Sequence, residues 1–495
     1  MLHDLLARIV ANPEDEGARA VYADALTEAD DPRGELIHLE LALAKLGIET
    51  MDDLVFSPLE GDALAHATQL LRSALVLRPD NSYVRRGFTT TAQSSDPAEL
   101  ARAIETSPID TLVPEFGVPI AKLLELPLAR IRKLYLRPMY DPENLPALFA
   151  AMPQLESLAV WCPFDLAALE PCVRLRSLTG YKLDLDVLSA LPCARTLTFL
   201  CASQTPNAFA SGDRLPLLER LELDDIIDPV ADRLPRELLL RRVARPERLA
   251  TLPAMASVEA LEMRVLEEDA MLSIITSRYV HAVKKLWLRG PASERAFRAL
   301  IDKRGAQLEW LSLENAPLPG ETVAAIVRAH RLVHLDWTPF GGSPRSAAFA
   351  DEPAAASLRS LVIFGAYLGD DGVATLAASP HLANLRRLGL GKNAIYARGR
   401  TAISESKHLR GVIDLDLCFN GDTAYLVLAG DRVTEEALRE VLRRYFDLDR
   451  RGGLAGDIEI DDDAFNVAAH ARLVGVESCT RMVRIPRAKA YDALP

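Results

Sequence analysis

An aliphatic pattern, Leu-x-x-Leu-x-Leu, returns along most of this 495-residue chain. Clear copies begin at Ile131, Leu155, Leu175, Ala194, Leu218, Val258, Val283, Leu308, Leu332, Leu358, Leu385 and Val412, with degenerate ones at Ile109 and Pro235. The copy at Ala194 takes Leu197 and Phe199 as its strand residues. From Ile131 onward the steps run between 17 and 27 residues. Self-similarity at such a period marks a repeat architecture: each unit is a supersecondary element that cannot bury its apolar side alone and must stack on its neighbours.

The physics of one unit follows from its spacing. The Leu-x-Leu part is a short strand whose alternate side chains lie on opposite faces, so the aliphatic members point into the coil and the intervening ones point out. The rest of the unit returns the chain. Ser293 to Arg304, stopped by Gly305, reads as a helix, and Glu267 to Tyr279 carries Met271, Ile274 and Ile275 on one helical face. A strand on one side and a bulkier helix on the other forces curvature. The expected fold class is α/β: a curved horseshoe with a parallel sheet on its concave face and helices on its convex face.

Over residues 109–420 this pattern resembles the leucine-rich repeat family, and toward the C-terminal side its ribonuclease-inhibitor-like class, in Leu-Arg-Arg-Leu-Gly-Leu-Gly-Lys-Asn at 385–393 and Val-Ile-Asp-Leu-Asp-Leu-Cys-Phe-Asn at 412–420. The resemblance implies an asparagine three residues past the last strand leucine, its amide bonding backbone groups of adjacent coils. Only Asn393 and Asn420 fill that place; Met139, Pro163, Ala202 and Ala316 stand there in other units, which implies an irregular twist in the middle of the array.

Both ends depart from the repeat. Residues 1–46 read as helices: Asp15 to Leu26 carries Ala18, Val21, Tyr22 and Leu26 at helical spacing, and Asp31-Pro32 is a cap followed by proline at the first helical position. The wording Arg-Ala-Val-Tyr-Ala-Asp-Ala-Leu at 19–26, Asp-Pro-Arg-Gly-Glu-Leu-Ile at 31–37 and Arg-Arg-Gly-Phe at 85–88 resembles the companion domain that opens many myxobacterial and planctomycete repeat proteins. That resemblance brings no established activity, and Arg19, Tyr22, Asp24 and Arg33 are expected to form an internal polar network that fixes the helices. Residues 47–108 read as a helical linker and cap, with a helix from Asp62 to Leu75. Residues 421–495 read as a terminal cap or small α/β appendage, with a strand at 424–428, a helix from Thr434 to Phe446 and further strands at 458–460 and 482–485.

Composition narrows the function. With 57 Lys plus Arg against 70 Asp plus Glu the net charge is −13, which disfavours a nucleic-acid partner. Six cysteines without a Cys-x-x-Cys pair make neither a disulfide framework nor a zinc site and fit a reducing, cytoplasmic setting. No apolar run is long enough to span a bilayer. Nucleotide-loop, serine-hydrolase and zinc-protease motifs are absent. The loop 447–453 looks like a calcium loop but places Arg451 and Ile458 where ligands are needed, and Asp461 to Asp463 reads as a solvated turn. His330 and His334 have metal-like spacing but flank a strand, so they are not expected to converge. No cofactor, metal or catalytic residue is expected.

The informative positions are the outward ones on the strands: Tyr135, Arg137, Trp161, Tyr181, Arg264, Lys285, Trp287, Arg289, Trp310, Glu314, His334, Asp336 and Phe364, with Trp337 instead at a core position. Trp, Tyr and Arg are the types that dominate binding hot spots. The expected function is a non-enzymatic module that binds a protein partner on the concave face, and replacing Trp287 and Trp310 together by Ala is expected to weaken that binding by ~2 kcal/mol or more. The alternative, resting on analogy with leucine-rich GTPase activators alone, is a regulatory subunit whose C-terminal residues act on a nucleotide-binding partner.

Overall fold

The computed structural model describes residues 2–417 apart from 78–83, 87, 116, 138–141, 204–213, 224–232, 242–245, 265–267, 291–293, 305–307 and 340–345, together with Asn420, Ala424–Leu428 and Val467–Ala471. The expected helix at 434–446 and strands at 458–460 and 482–485, like the loop 447–453 and Asp461 to Asp463, lie outside the described residues. The chain falls into two compact units: Met1–Ala42 with Ser82–Arg264 and Ser277–Ala282, and Leu43–Asn81 with Val265–Thr276 and Val283–Pro495.

In chain order, helices α1 (Leu2–Ala11), α2 (Glu16–Thr27), α3 (Arg33–Lys45), α4 (Met51–Phe56) and α5 (Gly61–Leu77) come first. The short strands β1 (Val84–Arg85) and β2 (Phe88–Thr89) form an antiparallel hairpin. In the first unit there follow β3 (Thr91–Ser94), β4 (Thr111–Pro114), β5 (Lys133–Leu136), β6 (Ser157–Val160), β7 (Ser177–Tyr181), β8 (Phe199–Ser203), β9 (Arg220–Leu223), β10 (Glu237–Leu240) and β11 (Ala260–Arg264). Each is parallel to the next. The second unit holds β12 (Lys285–Arg289), β13 (Trp310–Glu314), β14 (His334–Thr338), β15 (Ser360–Ile363), β16 (Arg387–Gly389) and β17 (Asp414–Asp416), also mutually parallel. β18 (Ala424–Leu428) then runs antiparallel to β17, and β19 (Val467–Ala471) antiparallel to β18. The fold class is α/β, one parallel strand per repeat, as the periodicity implies.

Register shows why these strands form. The fourth position of the repeat lines up from strand to strand as Leu112, Leu134, Leu158, Leu178, Leu200, Leu221, Leu238 and Leu261 in the first unit, and as Leu286, Leu311, Leu335, Leu361, Leu388 and Leu415 in the second. All of these are buried, and each contributes about 1.5–3 kcal/mol of transfer free energy. Trp337 lies at the sixth position of its coil and is fully buried.

Two details correct the repeat read from the sequence. The unit assigned to Ala194 begins at Leu197: Leu200 pairs with Leu178 and Ala202 with Gly180, so Phe199 faces outward rather than inward. The error arose because Ala194 and Leu197 mimic the first and fourth apolar positions, whereas Ala194 belongs to the preceding turn, Pro192–Arg195. An additional coil, β3, precedes Ile109; its inward residues Ala92 and Ser94 pair with Leu112 and Pro114, the first too small and the second too polar to register as a leucine pattern.

Repeat length decides what the return segment can be. The closer steps of the first unit are returned mostly by short elements, 3-10 turns at Leu128–Arg130, Leu166–Leu169 and Pro253–Ser257 and six-residue helices at Leu145–Ala150, Leu185–Ala190 and Pro246–Thr251, with a longer helix at Pro97–Thr106. The longer steps of the second admit α-helices at Glu268–Ile275, Glu294–Arg304, Gly320–Ala329, Gly369–Ala378 and Ala397–Ser404. The first buries Met271, Ile274 and Ile275, the face expected from the sequence, though it stops before Tyr279.

Backbone groups between coils are satisfied by a few side chains. Asn393 accepts from Ala366 N (2.9 Å) and donates to Ile363 O (2.6 Å), and Asn420 accepts from Asn393 N (2.7 Å) and donates to Leu390 O (2.8 Å). Where the coil carries Ala316 in place of asparagine, the indole N–H of Trp337 donates to the Ala316 carbonyl at 2.9 Å. A second series uses hydroxyls on the return side: Ser257 to Leu234 O (2.8 Å), Ser357 to Leu332 O (2.6 Å), Ser379 to Ala350 O (2.5 Å) and Thr196 to Leu175 O (2.7 Å).

Of the four motif residues expected to form an internal network near the start of the chain, Arg19 and Tyr22 are buried, whereas Asp24 and Arg33 are exposed. Asp15 caps α2 by accepting from Ala18 N. Arg19, almost fully buried, donates to Pro13 O from Nε (3.0 Å) and Nη2 (2.7 Å) and to Arg86 O from Nη1 (3.1 Å). Its guanidinium lies 4.8 Å from the Phe88 ring centroid, and Tyr22 packs on the same ring. The Arg-Ala-Val-Tyr and Arg-Arg-Gly-Phe segments are therefore two halves of one contact. Arg33 and Asp24 instead form surface pairs with Asp31 and His38, since each finds an ionisable partner within the α2–α3 segment itself.

Candidate binding face

Each strand presents its third, fifth and seventh repeat positions on one face. In the second unit the third positions run side by side as Lys285, Trp310, His334, Ser360, Arg387 and Asp414. The fifth positions run as Trp287, Ser312, Asp336, Val362, Gly389 and Asp416.

The third row is covered from within the same unit. Phe56, the last residue of α4, packs on Trp310 at 4.8 Å between ring centroids and meets His334 edge-on at 6.2 Å. Trp310 stacks on His334 at 3.9 Å and touches Trp287 at 5.9 Å, with the Lys285 ammonium 5.7 Å from its ring. Further along, Asp52 accepts from Arg387 Nη2 at 2.6 Å while Asp414 takes Arg387 Nε at 2.5 Å. Arg359 and Arg386 each donate to Ser57 O, at 2.9 and 2.8 Å. These cations meet carbonyls just beyond the C-terminal end of α4, where the helix leaves its acceptors unpaired.

This docking corrects the expectation that all outward residues are open to a partner. His334 is buried, and its Nδ1 lies 2.8 Å from Ser360 Oγ, itself fully buried. A serine beside a histidine is the arrangement of a nucleophile and base, but burial, with a smaller push from Arg387, holds the imidazole neutral with a pKa of about 3. Closed under Phe56 and Trp310, the pair is a buried polar rung. The Trp310 Nε1–H is buried with no acceptor among the described residues. On the fifth row Asp336 accepts from Ser312 Oγ at 3.2 Å; burial raises its carboxyl to about 6, with Ser312 opposing that shift. On the seventh row Arg289 and Glu314 pair at 3.0 Å, and Phe364 is half-buried.

In the first unit the face is more open. Tyr135, on β5, is 39% exposed, and Trp161, the residue after the adjacent strand β6, is 44% exposed. Tyr181, on β7, carries the Lys182 ammonium 5.4 Å from its ring centroid, and Lys133 and Arg137 are exposed on the coil of β5. Arg264 ends β11. Sequence reasoning missed Phe199, outward on β8 with the Arg220 guanidinium 5.6 Å from its ring; the register shift at Ala194 hid it.

His330 caps the Gly320–Ala329 helix and His334 opens β14, so they do not converge, and no group of His, Cys, Asp and Glu fit to hold a metal occurs among the described residues. Cys172 and Cys193 are buried free thiols, pushed up to about 12 and about 11 by burial. Among the described residues no helix is long and apolar enough to cross a membrane. Neither a family model nor a curated protein matches this chain.

Proposed function

We propose that this chain is a leucine-rich repeat protein with an N-terminal companion domain, acting in the cytoplasm as a non-enzymatic module that binds a partner protein on the outward face of its parallel strands. The observation that carries this reading is the pair of exposed rings Tyr135 and Trp161 on neighbouring coils, flanked by Tyr181, Arg137 and Lys133. A monomeric surface rarely holds large aromatics at such exposure side by side unless they meet something. Strands locked in register by a buried leucine ridge lose little freedom on association, so the contact area is used efficiently.

In the second unit the outward residues Trp287, Arg289, Glu314 and Phe364 are half-buried. Trp310 also supports Phe56, so its removal reads on stability as well as on binding. The cleaner test is Tyr135→Ala with Trp161→Ala. A partner captured from native lysate and identified by mass is expected to bind this variant at least ~2 kcal/mol more weakly, roughly thirtyfold, in a calorimetric titration. Unchanged affinity in a variant with unchanged circular dichroism refutes the assignment of this face.

A further inference from the structure

The second unit contains a cleft of about 580 Å³ whose walls are Glu60 and Leu64, at the start of α5, and the strand-entry residues of successive coils, Arg331, Arg359 and Arg386 with Asn384. Its charge is unbalanced: three arginines and one carboxylate residue, Glu60, line it, in a chain whose net charge is −13.

The arginines are not equivalent. Arg386 is buried and committed: Nη1 donates to Ser57 O at 2.8 Å and Nη2 to Leu59 O at 2.5 Å. Arg359 donates only from Nη1, to Ser57 O, so its Nε and Nη2 edge is unused among the described residues. Arg331 is exposed and makes no hydrogen bond or ion pair among the described residues. Carbonyl acceptors satisfy guanidinium donors but do not neutralise their charge. Arg386 accordingly has its pKa lowered, first by burial and then by repulsion from Arg359. A partly buried cation beside further cations at the mouth of a cleft favours a counter-anion there.

We propose that this cleft binds a small phosphate-bearing molecule, with the phosphate held by Arg331 and the unused edge of Arg359. Guanidinium forks match phosphate oxygens two at a time. A phosphate monoester carries close to two negative charges, which matches the excess of three arginines over one glutamate, whereas a single carboxylate does not. The cleft volume falls in the range of small-molecule sites, leaving room for the remainder of the ligand beside Leu64 and Asn384. This site is independent of the proposed protein-binding face.

The test uses the full chain, with inorganic phosphate, pyrophosphate and succinate as probes, each against sodium chloride of equal ionic strength. Thermal unfolding and calorimetry are expected to show saturable stabilisation by the phosphate probes that chloride does not reproduce. Arg331→Ala is expected to weaken pyrophosphate binding about tenfold or more while leaving the ligand-free Tm unchanged, and Arg331→Lys to fall between. Arg331→Gln serves as a second neutral variant should Arg331→Ala fold poorly. Absence of saturable binding, or wild-type affinity in both neutral variants, overturns the site. Succinate binding as tightly as pyrophosphate overturns the phosphate assignment.

Discussion

Asn393→Ala isolates the bonds that tie coil to coil. The amide is fully buried and serves four backbone groups: Ala366 N at 2.9 Å, Leu368 N at 3.5 Å, Ile363 O at 2.6 Å and Gly391 O at 3.0 Å. Truncation removes the partner from buried donors and acceptors that have no ready access to water, at about 1–3 kcal/mol for each group left unsatisfied. The Leu368 contact is long, so the shorter bonds dominate, and a loss of about 3 kcal/mol is expected once partial refilling by water is allowed. Asn384→Ala is the control: its amide is exposed and makes one bond, to Ala356 O at 2.8 Å, so the loss should stay within about 1 kcal/mol. Asn393→Asp keeps an acceptor but removes the donors and buries a charge, so it should fare no better than alanine. Because a chain of two units is not bound to unfold in one step, denaturant titration should be read by hydrogen exchange in peptides spanning 363–395. Faster exchange should concentrate at Ala366 and its neighbours. A loss below about 1 kcal/mol, or one equal to that of Asn384→Ala, would refute the claim that the amide is a structural rung.

Two further outcomes follow from buried cations and bases. His334 is held neutral, with its folded pKa near 3 against 6.5, so its stabilising contribution is complete above pH 6.5 and is lost as pH falls through that window; Asp336, raised to about 6, works in the opposite sense below that pH. Relative to wild type, His334→Gln should therefore lose about 2 kcal/mol less stability between pH 7 and pH 5, and parallel pH profiles in urea unfolding would count against a buried neutral imidazole. Arg19→Lys, which removes the fork that spans Pro13 O and Arg86 O, should cost about 2 kcal/mol, while Arg33→Lys, in an exposed pair with Asp31, should change the urea midpoint little.

Much of the architecture could be read from the sequence because a stacked repeat is a local code. Leucine spacing located the strands, Asn393 and Asn420 were recognisable as inter-coil bonds, and Trp337 was placed inside. The misses have physical causes. The coil of β3 presents Ala92 and Ser94 inward, side chains that fill a coil without an aliphatic signature. Ala194 imitated a first position and displaced the register, hiding Phe199. The serine and threonine series was invisible because a hydroxyl on a turn carries no mark of which carbonyl it will meet. Least legible was the cover over the third row. Phe56 meets Trp310, and Asp52 meets Arg387, across separations at which periodicity carries no information. Trp310 and His334 are thereby partly or wholly withdrawn, while Tyr135 and Trp161 are exposed.

That cover has a consequence for biosynthesis. Leu54, Val55 and Phe56 are translated long before Trp310 and Arg387, the residues on which α4 rests. At roughly 5–20 residues per second, some tens of seconds pass between the two. Throughout that interval the nascent polypeptide carries a short amphipathic helix whose partners Trp310 and Arg387 have not yet left the ribosome. Completion of the second unit must therefore await late translation, and the early segment is where a chaperone would find an unprotected handle.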